Sequence, residues 1–107
     1  NMGYRYMRII VLFDLPVETA EDRSEYGRFR RSLIKAGFLM MQESIYCKLA
    51  VNSTMAESIV ANVKKFKPPR GLVQILKITE KQYSKIEFVV GESESETIDS
   101  DETLVIL

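Results

Sequence analysis

A run of β-branched and aromatic residues lies near the start of the chain, at residues 6–13 (YMRIIVLF), and it is apolar on both faces. Side chains alternate between the two faces of a strand, so Ile10 and Leu12 point away from the apolar residues beside them. The run is closed by Asp14-Leu15-Pro16, since proline cannot continue a central strand. These residues predict a strand inside a sheet that needs cover on both faces.

The rest of the chain alternates between helical and strand patterns. Apolar residues at helical spacing predict one helix that begins after Thr19 and ends at Gly37, and a second helix at residues 52–67. Strand patterns fill the intervals: residues 38–50, interpreted as one long strand, then 72–79, 85–91 and 103–107. We interpret the order as βαββαβ with an extra C-terminal strand. Such an order in so short a chain indicates an α+β fold, the ferredoxin-like sandwich, whose helices cover one face of an antiparallel sheet.

The strand at residues 72–79 is also apolar on both faces, with Leu76 on one side and Ile75 on the other. Two helices cover only one face of a sheet, and large apolar patches are seldom left in water. We therefore predict a homodimer packed through its sheet faces. The terminal segment 103–107 (TLVIL) extends either its own sheet or the sheet of the partner.

The acidic residues are unevenly distributed. Residues 92–102 (ESESETIDSDE) hold six of the 15 acids and no base, which leaves nine acids against 15 Lys and Arg elsewhere. We therefore divide the chain into a ferredoxin-like domain, residues 1–91, and a C-terminal part, residues 92–107, whose acidic loop and last strand dock on a dimer mate or a partner. The basic excess favours a polyanion such as nucleic acid, and a well-solvated surface is the alternative explanation.

The sequence carries no sign of a membrane or exported location. No apolar run approaches the roughly 20 residues that span a bilayer, and the first residues lack the pattern of a cleaved signal peptide. We expect a cytoplasmic protein with no membrane partner. The single cysteine, Cys47, cannot form an internal disulfide and is expected to be an inert buried residue.

The residues available for catalysis are few. Histidine is absent, which excludes Ser-His and Cys-His nucleophiles, and the sequence has no glycine-rich phosphate loop. What remains is a carboxylate that holds a hard divalent cation such as Mg²⁺. Asp14 is the candidate metal ligand and catalytic residue, because it ends an apolar strand and is expected at the rim of the sheet. The alternative is a turn aspartate that bonds to the backbone ahead of Leu15-Pro16.

Two groups of cations are candidates for nucleic-acid binding. The first group, Arg28, Arg31 and Lys35, lies on one face of the first helix. Arg23 lies nearby, at the start of that helix. The second group lies at the end of the second helix and in the loop that follows: Lys64, Lys67 and Arg70. Both groups suit contact with phosphates, because the sequence contains no base-reading motif, and solvation is the alternative for each.

Several segments of the sequence stand in a recognisable order: residues 9–16 (IIVLFDLP), 26–33 (YGRFRRSL), 37–38 with 42–46 (GF and QESIY) and 78–82 (ITEKQ). In this order and spacing they resemble the CRISPR-associated protein two family over nearly the whole domain. The FDLP and ITEKQ segments are most similar to the variants of type II systems.

The resemblance implies a homodimer that lies between two dimers of the CRISPR-associated protein one integrase. Together they capture short duplex DNA and insert it into the CRISPR array as a new spacer, and the integrase carries out the transfer chemistry. Family members are also described as magnesium-dependent endonucleases on RNA or DNA, whose metal ligand is the aspartate at the position of Asp14. Arg23 matches the family's arginine at the start of helix one.

The sequence departs from the family pattern at Met40 and Met41, where some members have an arginine, and this weakens a nuclease mechanism that needs a cation there. We favour the role of a DNA-binding scaffold in the integrase complex over that of a stand-alone magnesium-dependent nuclease. A ferredoxin-like regulatory domain that binds a small ligand or a protein is a third hypothesis.

Overall fold

The structure is a computed structural model, and it describes residues 6–92 of the chain. The elements are β1 (Met7–Asp14), α1 (Ala20–Lys35), β2 (Leu39–Gln42), β3 (Ile45–Ala50), α2 (Ser53–Lys65), β4 (Leu72–Thr79) and a short helix, α3 (Glu80–Tyr83). The strands form one antiparallel sheet in the order β2-β3-β1-β4. This is the predicted α+β, ferredoxin-like βαββαβ arrangement, with α3 added.

Capping residues set where the two long helices begin. The hydroxyl of Thr19 accepts a hydrogen bond from the backbone N–H of Asp22 at 3.0 Å, and the carboxylate of Asp22 accepts one from the N–H of Thr19 at 3.3 Å. Asn52 caps α2, because its side-chain oxygen accepts a hydrogen bond from the backbone N–H of Met55 at 2.8 Å. Gly37 follows the end of α1 with a φ of 97°, a conformation that favours glycine.

The core lies between the sheet and the two long helices. Most of its buried members come from β1, β3 and both helices, and two lie in the adjoining loops: Ile9, Val11, Phe13, Leu15, Phe29, Leu33, Phe38, Tyr46, Ala50, Ala56, Ile59 and Val63. The ring of Phe13 meets that of Phe29 edge-on at 5.2 Å and stacks against Tyr46 at 5.8 Å. Both long helices therefore cover the same face of the sheet, as predicted.

The opposite face of the sheet is apolar and only partly covered, and we call it the open face. Strand register and alternation place these residues on it: Ile10, Leu12, Ile45, Cys47, Leu49, Leu72, Leu76 and Ile78. Leu72 and Leu76 are 53% and 49% exposed, whereas Cys47 is buried, as predicted. The two-sided apolar pattern of the strands is thus confirmed.

The prediction of one long strand at residues 38–50 is wrong. The segment forms a hairpin in which β2 and β3 pair antiparallel, with a bulge between Met40 and Gln42. Glu43 and Ser44 form the turn. Serine is common in turns because its hydroxyl can form a hydrogen bond with a nearby backbone group.

The predicted strand at residues 85–91 is also wrong, since these residues are turns and irregular structure. Thr79 and Gln82 form a reciprocal capping box. It starts α3 directly after β4, so the extended conformation stops at Thr79. The predicted strand at residues 103–107 lies outside the described residues, so the division of the chain at residue 91 stays a prediction. No helix within residues 6–92 is long and apolar enough to cross a membrane.

Candidate nucleic-acid interface

Arg28 joins the two groups of cations that the sequence presents separately. Its Nε donates to Glu25 Oε1 at 2.7 Å, the local partner that the i, i+3 spacing indicates. Its Nη1 and Nη2 donate to the backbone carbonyls of Phe66 and Lys67 at 3.1 and 3.3 Å. The end of α2 is therefore tied to the middle of α1, and the cations of both helices share one surface.

The second group lies where α2 ends and the chain turns toward β4. Lys64 is exposed in the last turn of α2, where a positive charge favours the helix dipole. The Nζ of Lys67 donates to the carbonyl of Lys64 at 3.3 Å. Arg70 follows in the loop, and 65% of its side chain is exposed. Among these three cations, Lys67 contacts Arg28 through its backbone carbonyl, and Lys64 and Arg70 lie three residues before and after it in the chain.

Arg70 is held by a carboxylate of α1. Its Nη2 donates to Oδ1 of Asp22, whose side chain is only 7% exposed. Burial of this carboxyl would raise its pKa, but the hydrogen bonds from Thr19 and the charge of Arg70 outweigh burial and lower the pKa of Asp22. The aspartate is therefore ionised at neutral pH and anchors the loop that carries Arg70.

The remaining cations of α1 differ in how they are used. The Nη1 of Arg23 donates to the carbonyls of Val17 and Glu18 at 3.1 and 3.0 Å, so this side chain holds the loop between β1 and α1. Arg31 and Lys35 are exposed, and within residues 6–92 neither side chain makes a hydrogen bond or an ion pair. They lie one and two turns beyond Arg28, about 5 and 10 Å along the helix axis.

We define the basic surface as six of the predicted residues: Arg28, Arg31, Lys35, Lys64, Lys67 and Arg70. Arg23 is not included, because its guanidinium faces the loop before α1. The surface follows α1 and the end of α2 on the side of the sheet that carries the helices. Several exposed cations on neighbouring segments suit contact with the phosphates of a polyanion.

Asp14 is the last residue of β1 and is exposed. It pairs with Leu72, so it lies at the same end of the sheet as Arg70, and strand alternation directs its side chain to the open face. Within the described residues its carboxylate makes no hydrogen bond, so the turn aspartate that bonds to the backbone is not observed.

The donors around Asp14 limit how it could hold a metal ion. No group of three or more His, Cys, Asp or Glu within residues 6–92 is placed to hold a metal. The arrangement therefore fits a cation held by one carboxylate and mostly by water, as Mg²⁺ accepts, and does not fit a closed protein site. Such a site is weak unless a second copy contributes its own Asp14.

The sequence analysis missed a polar cluster on the open face. Arg8 donates to Glu80 through Nε and Nη2 at 2.6 and 3.1 Å, and through Nη1 to the Sγ of Cys47 at 3.7 Å. The guanidinium lies 4.2 Å from the ring centroid of Tyr83, within range of a cation–π contact. The cluster fixes α3 against β1, and its sequence signal was the one charge inside an otherwise apolar strand.

The contacts of this cluster shift the pKa values of Arg8 and Cys47. The hydrogen bond to Glu80 raises the pKa of Arg8 above its ordinary value, against the lowering effect of burial. Burial raises the pKa of the Cys47 thiol, although the guanidinium of Arg8 acts in the opposite direction. Cys47 is therefore a protonated thiol at neutral pH, as expected of an inert residue.

The family model of CRISPR associated protein Cas2 matches residues 7–86, from the first strand to the segment after α3. The chain belongs to the Cas2 family. The resemblance carried by the FDLP, QESIY and ITEKQ segments is thereby confirmed. Its finer assignment to type II systems stays a prediction.

Curated Cas2 proteins are similar to this chain over most of its length. A CRISPR-associated endoribonuclease Cas2 from Treponema denticola is 54% identical over 101 residues, which cover 94% of this chain and 100% of the relative. The protein of the same name from Ligilactobacillus salivarius is 45% identical, with the same coverage of both chains. A crystal structure of Cas2 superimposes with a TM-score of 0.56 at 20% identity, covering 84% of this chain and 92% of that one, and supports the fold alone.

Proposed function

We propose that this Cas2 family member is a homodimeric subunit of the CRISPR spacer-acquisition complex, which binds duplex prespacer DNA and bridges two dimers of the CRISPR-associated protein one integrase. The observation that carries the proposal is the basic surface. Arg28 ties the two helical segments that bear its cations together, which holds the cations at the end of α2 close to α1. A role on the CRISPR array also places the protein in the cytoplasm.

The chemistry of the basic surface favours the DNA backbone over the bases. Its exposed members are lysine and arginine side chains, which neutralise phosphates independently of sequence. A subunit that captures spacers of many sequences needs this kind of contact. The open face supports the dimer, since Leu72 and Leu76 are about half exposed and a second copy would cover them.

Duplex binding at a series of salt concentrations tests this proposal. Replacing Arg31 and Lys64 together with Gln removes two exposed cations, so affinity should fall and the slope of log K against log salt should decrease by about 1.8. Lys85→Gln is the matched control, because it removes an exposed lysine beyond α3, away from the two long helices. Wild-type protein that binds no duplex even at low salt would disprove the proposal.

A second candidate is the activity in the names of the relatives, a CRISPR-associated endoribonuclease. Asp14 favours it, because an exposed carboxylate that makes no hydrogen bond within residues 6–92 ends the central strand β1. In this proposal Asp14 holds a divalent cation such as Mg²⁺, which when bound supplies an activated water for phosphodiester hydrolysis. Met40 and Met41 in β2 provide no cation to assist.

RNA and DNA cleavage with added Mg²⁺ tests the second candidate. Asp14→Asn should abolish cleavage at unchanged stability, since the side chain is exposed and the amide has nearly the same shape. Glu18→Gln is the matched control, an exposed carboxylate in the loop that follows β1. Cleavage that persists in Asp14→Asn would come from another source, and the second candidate would be rejected.

A further inference from the structure

Two arginines hold the loop after α2 against helix α1, one of them on the helix and the other on the loop. We call residues 66–71 (FKPPRG) the α2 loop. Arg28 reaches from α1 to the first two carbonyls of this loop, those of Phe66 and Lys67. Arg70 reaches back from the loop to the buried carboxylate of Asp22 in the first turn of α1. The loop is therefore fixed to one helix near both of its ends.

We propose that Arg28 is a positioning residue for nucleic acid: it orders the α2 loop so that Lys67 and Arg70 meet the phosphates, and it is not itself a phosphate ligand. This inference rests on the proposed function and assigns different roles to residues of the same charge. Sequence spacing groups Arg28 with Arg31 and Lys35 as equivalent cations. Its contacts separate it from them.

The use of the guanidinium nitrogens carries the distinction. Each of the three nitrogens of Arg28 donates to an acceptor within the protein, and the side chain is 39% exposed. Arg70 uses only Nη2 and is 65% exposed, so the other edge of its planar fork remains directed away from Asp22. An arginine held by a carboxylate on one edge can still bind a phosphate on the other.

The loop itself needs external anchors. Pro68 and Pro69 have no backbone N–H, so these two residues cannot tie the loop down by donating hydrogen bonds. A mobile loop would lose its freedom when its cations bind phosphate, and that ordering would weaken binding. Anchoring by Arg28 removes this cost before the nucleic acid arrives.

The salt dependence of duplex binding separates a positioning residue from a phosphate ligand. The slope of log K against log salt counts the phosphates neutralised in the complex, and each lost contact lowers it by about 0.9. Lys67→Gln should lower both the affinity and the slope. Arg28→Gln should weaken binding by about two- to tenfold, the range for ordering one side chain, and leave the slope unchanged.

Arg28→Lys sharpens the test because it keeps the positive charge and loses the planar fork. A positioning role predicts that Arg28→Lys weakens binding nearly as much as Arg28→Gln does. Amide hydrogen exchange without DNA should show faster exchange in the α2 loop for both Arg28 variants and not for Lys67→Gln. Exchange elsewhere in the core should stay at its wild-type rate, which shows that the variants fold.

Three outcomes decide the inference. A slope that falls by about 0.9 in Arg28→Gln, together with wild-type affinity in Arg28→Lys, would make Arg28 a direct phosphate ligand and overturn it. Wild-type exchange of the α2 loop in both Arg28 variants would overturn it too. Absence of duplex binding by the wild-type protein would instead defeat the proposed function, so the two failures are distinguishable.

Discussion

Gly71 joins the α2 loop to β4 in a place where a side chain does not fit. Its φ of 103° is a conformation that residues with a Cβ rarely adopt. A Cβ on Gly71 would lie 2.7 Å from Cδ2 of Leu15, 3.1 Å from the backbone oxygen of Asp14 and 3.1 Å from Cδ of Pro16. The oxygen of Asp14 and the ring of Pro16 cannot easily withdraw, and the side chain of Leu15 can shift only in part because it is buried.

Replacing Gly71 with Ala should therefore destabilise the protein by about 3 kcal/mol. Backbone strain of this kind costs of order 1–3 kcal/mol, and forcing a methyl group into a packed site costs about 1–3 kcal/mol. We take a value below the upper sum because the side chain of Leu15 can relax in part. With an m-value of about 1.5 kcal/mol/M, the midpoint of urea unfolding should fall by about 2 M.

Gly91→Ala is the matched control for this experiment. Gly91 also has a positive φ, 85°, but nothing lies within 4 Å of a Cβ placed there, so only the backbone contribution applies. Both variants must be compared at one protein concentration, because the proposed dimer would make stability depend on concentration. Equal midpoints for the two variants, or a wild-type midpoint for Gly71→Ala, would refute the close packing of Gly71 against the end of β1.

Three further substitutions test other parts of the structure. Tyr46→Phe should leave stability unchanged or raise it by about 1 kcal/mol, because the buried hydroxyl has no hydrogen-bond partner within residues 6–92; a clear loss in urea unfolding would contradict this. Asp22→Asn should destabilise the protein near pH 7, and the difference from wild type should vanish as the pH falls below about 4 and through the lowered pKa of Asp22, since the wild-type carboxyl then becomes neutral as well. Thermal unfolding as a function of pH measures this, and a difference that persists at low pH would show that the charge is not responsible. Arg8→Lys should lower the free energy of unfolding by about 1–3 kcal/mol, because an ammonium cannot bond both carboxylate oxygens of Glu80 while it contacts the ring of Tyr83. Wild-type stability in urea unfolding would mean that the cluster contributes nothing to stability.

The elements with clear periodicity could be predicted from the sequence, and those with short local signals could not. Strand β4 has the predicted bounds, and the cap at Thr19 is where the sequence places it. The turn at Glu43 and Ser44 was missed because apolar residues continue on both sides and no glycine or proline interrupts them. Helix α3 has four residues, too few for a helical period, although its capping box was present in the sequence.

The sequence supplies the candidate cations of the basic surface but does not predict the contacts among them. The spacing of the cations on each helix follows from periodicity, which acts over a few residues. Arg28 meets the carbonyl of Phe66 across 38 positions of the chain, and Arg70 meets Asp22 across 48. Such contacts depend on how the helices pack on the sheet, so sequence spacing alone treats an anchoring arginine and an available one alike.

The most direct test of the proposed function is spacer insertion into a CRISPR-array plasmid by the purified integrase. The reactions compare added wild-type protein, Asp14→Ala and no second protein. The scaffold account predicts insertion that requires this protein and tolerates Asp14→Ala, because that change leaves the basic surface and the apolar residues of the open face in place. Efficient insertion by the integrase alone, or loss of insertion with a folded and dimeric Asp14→Ala, would contradict the account.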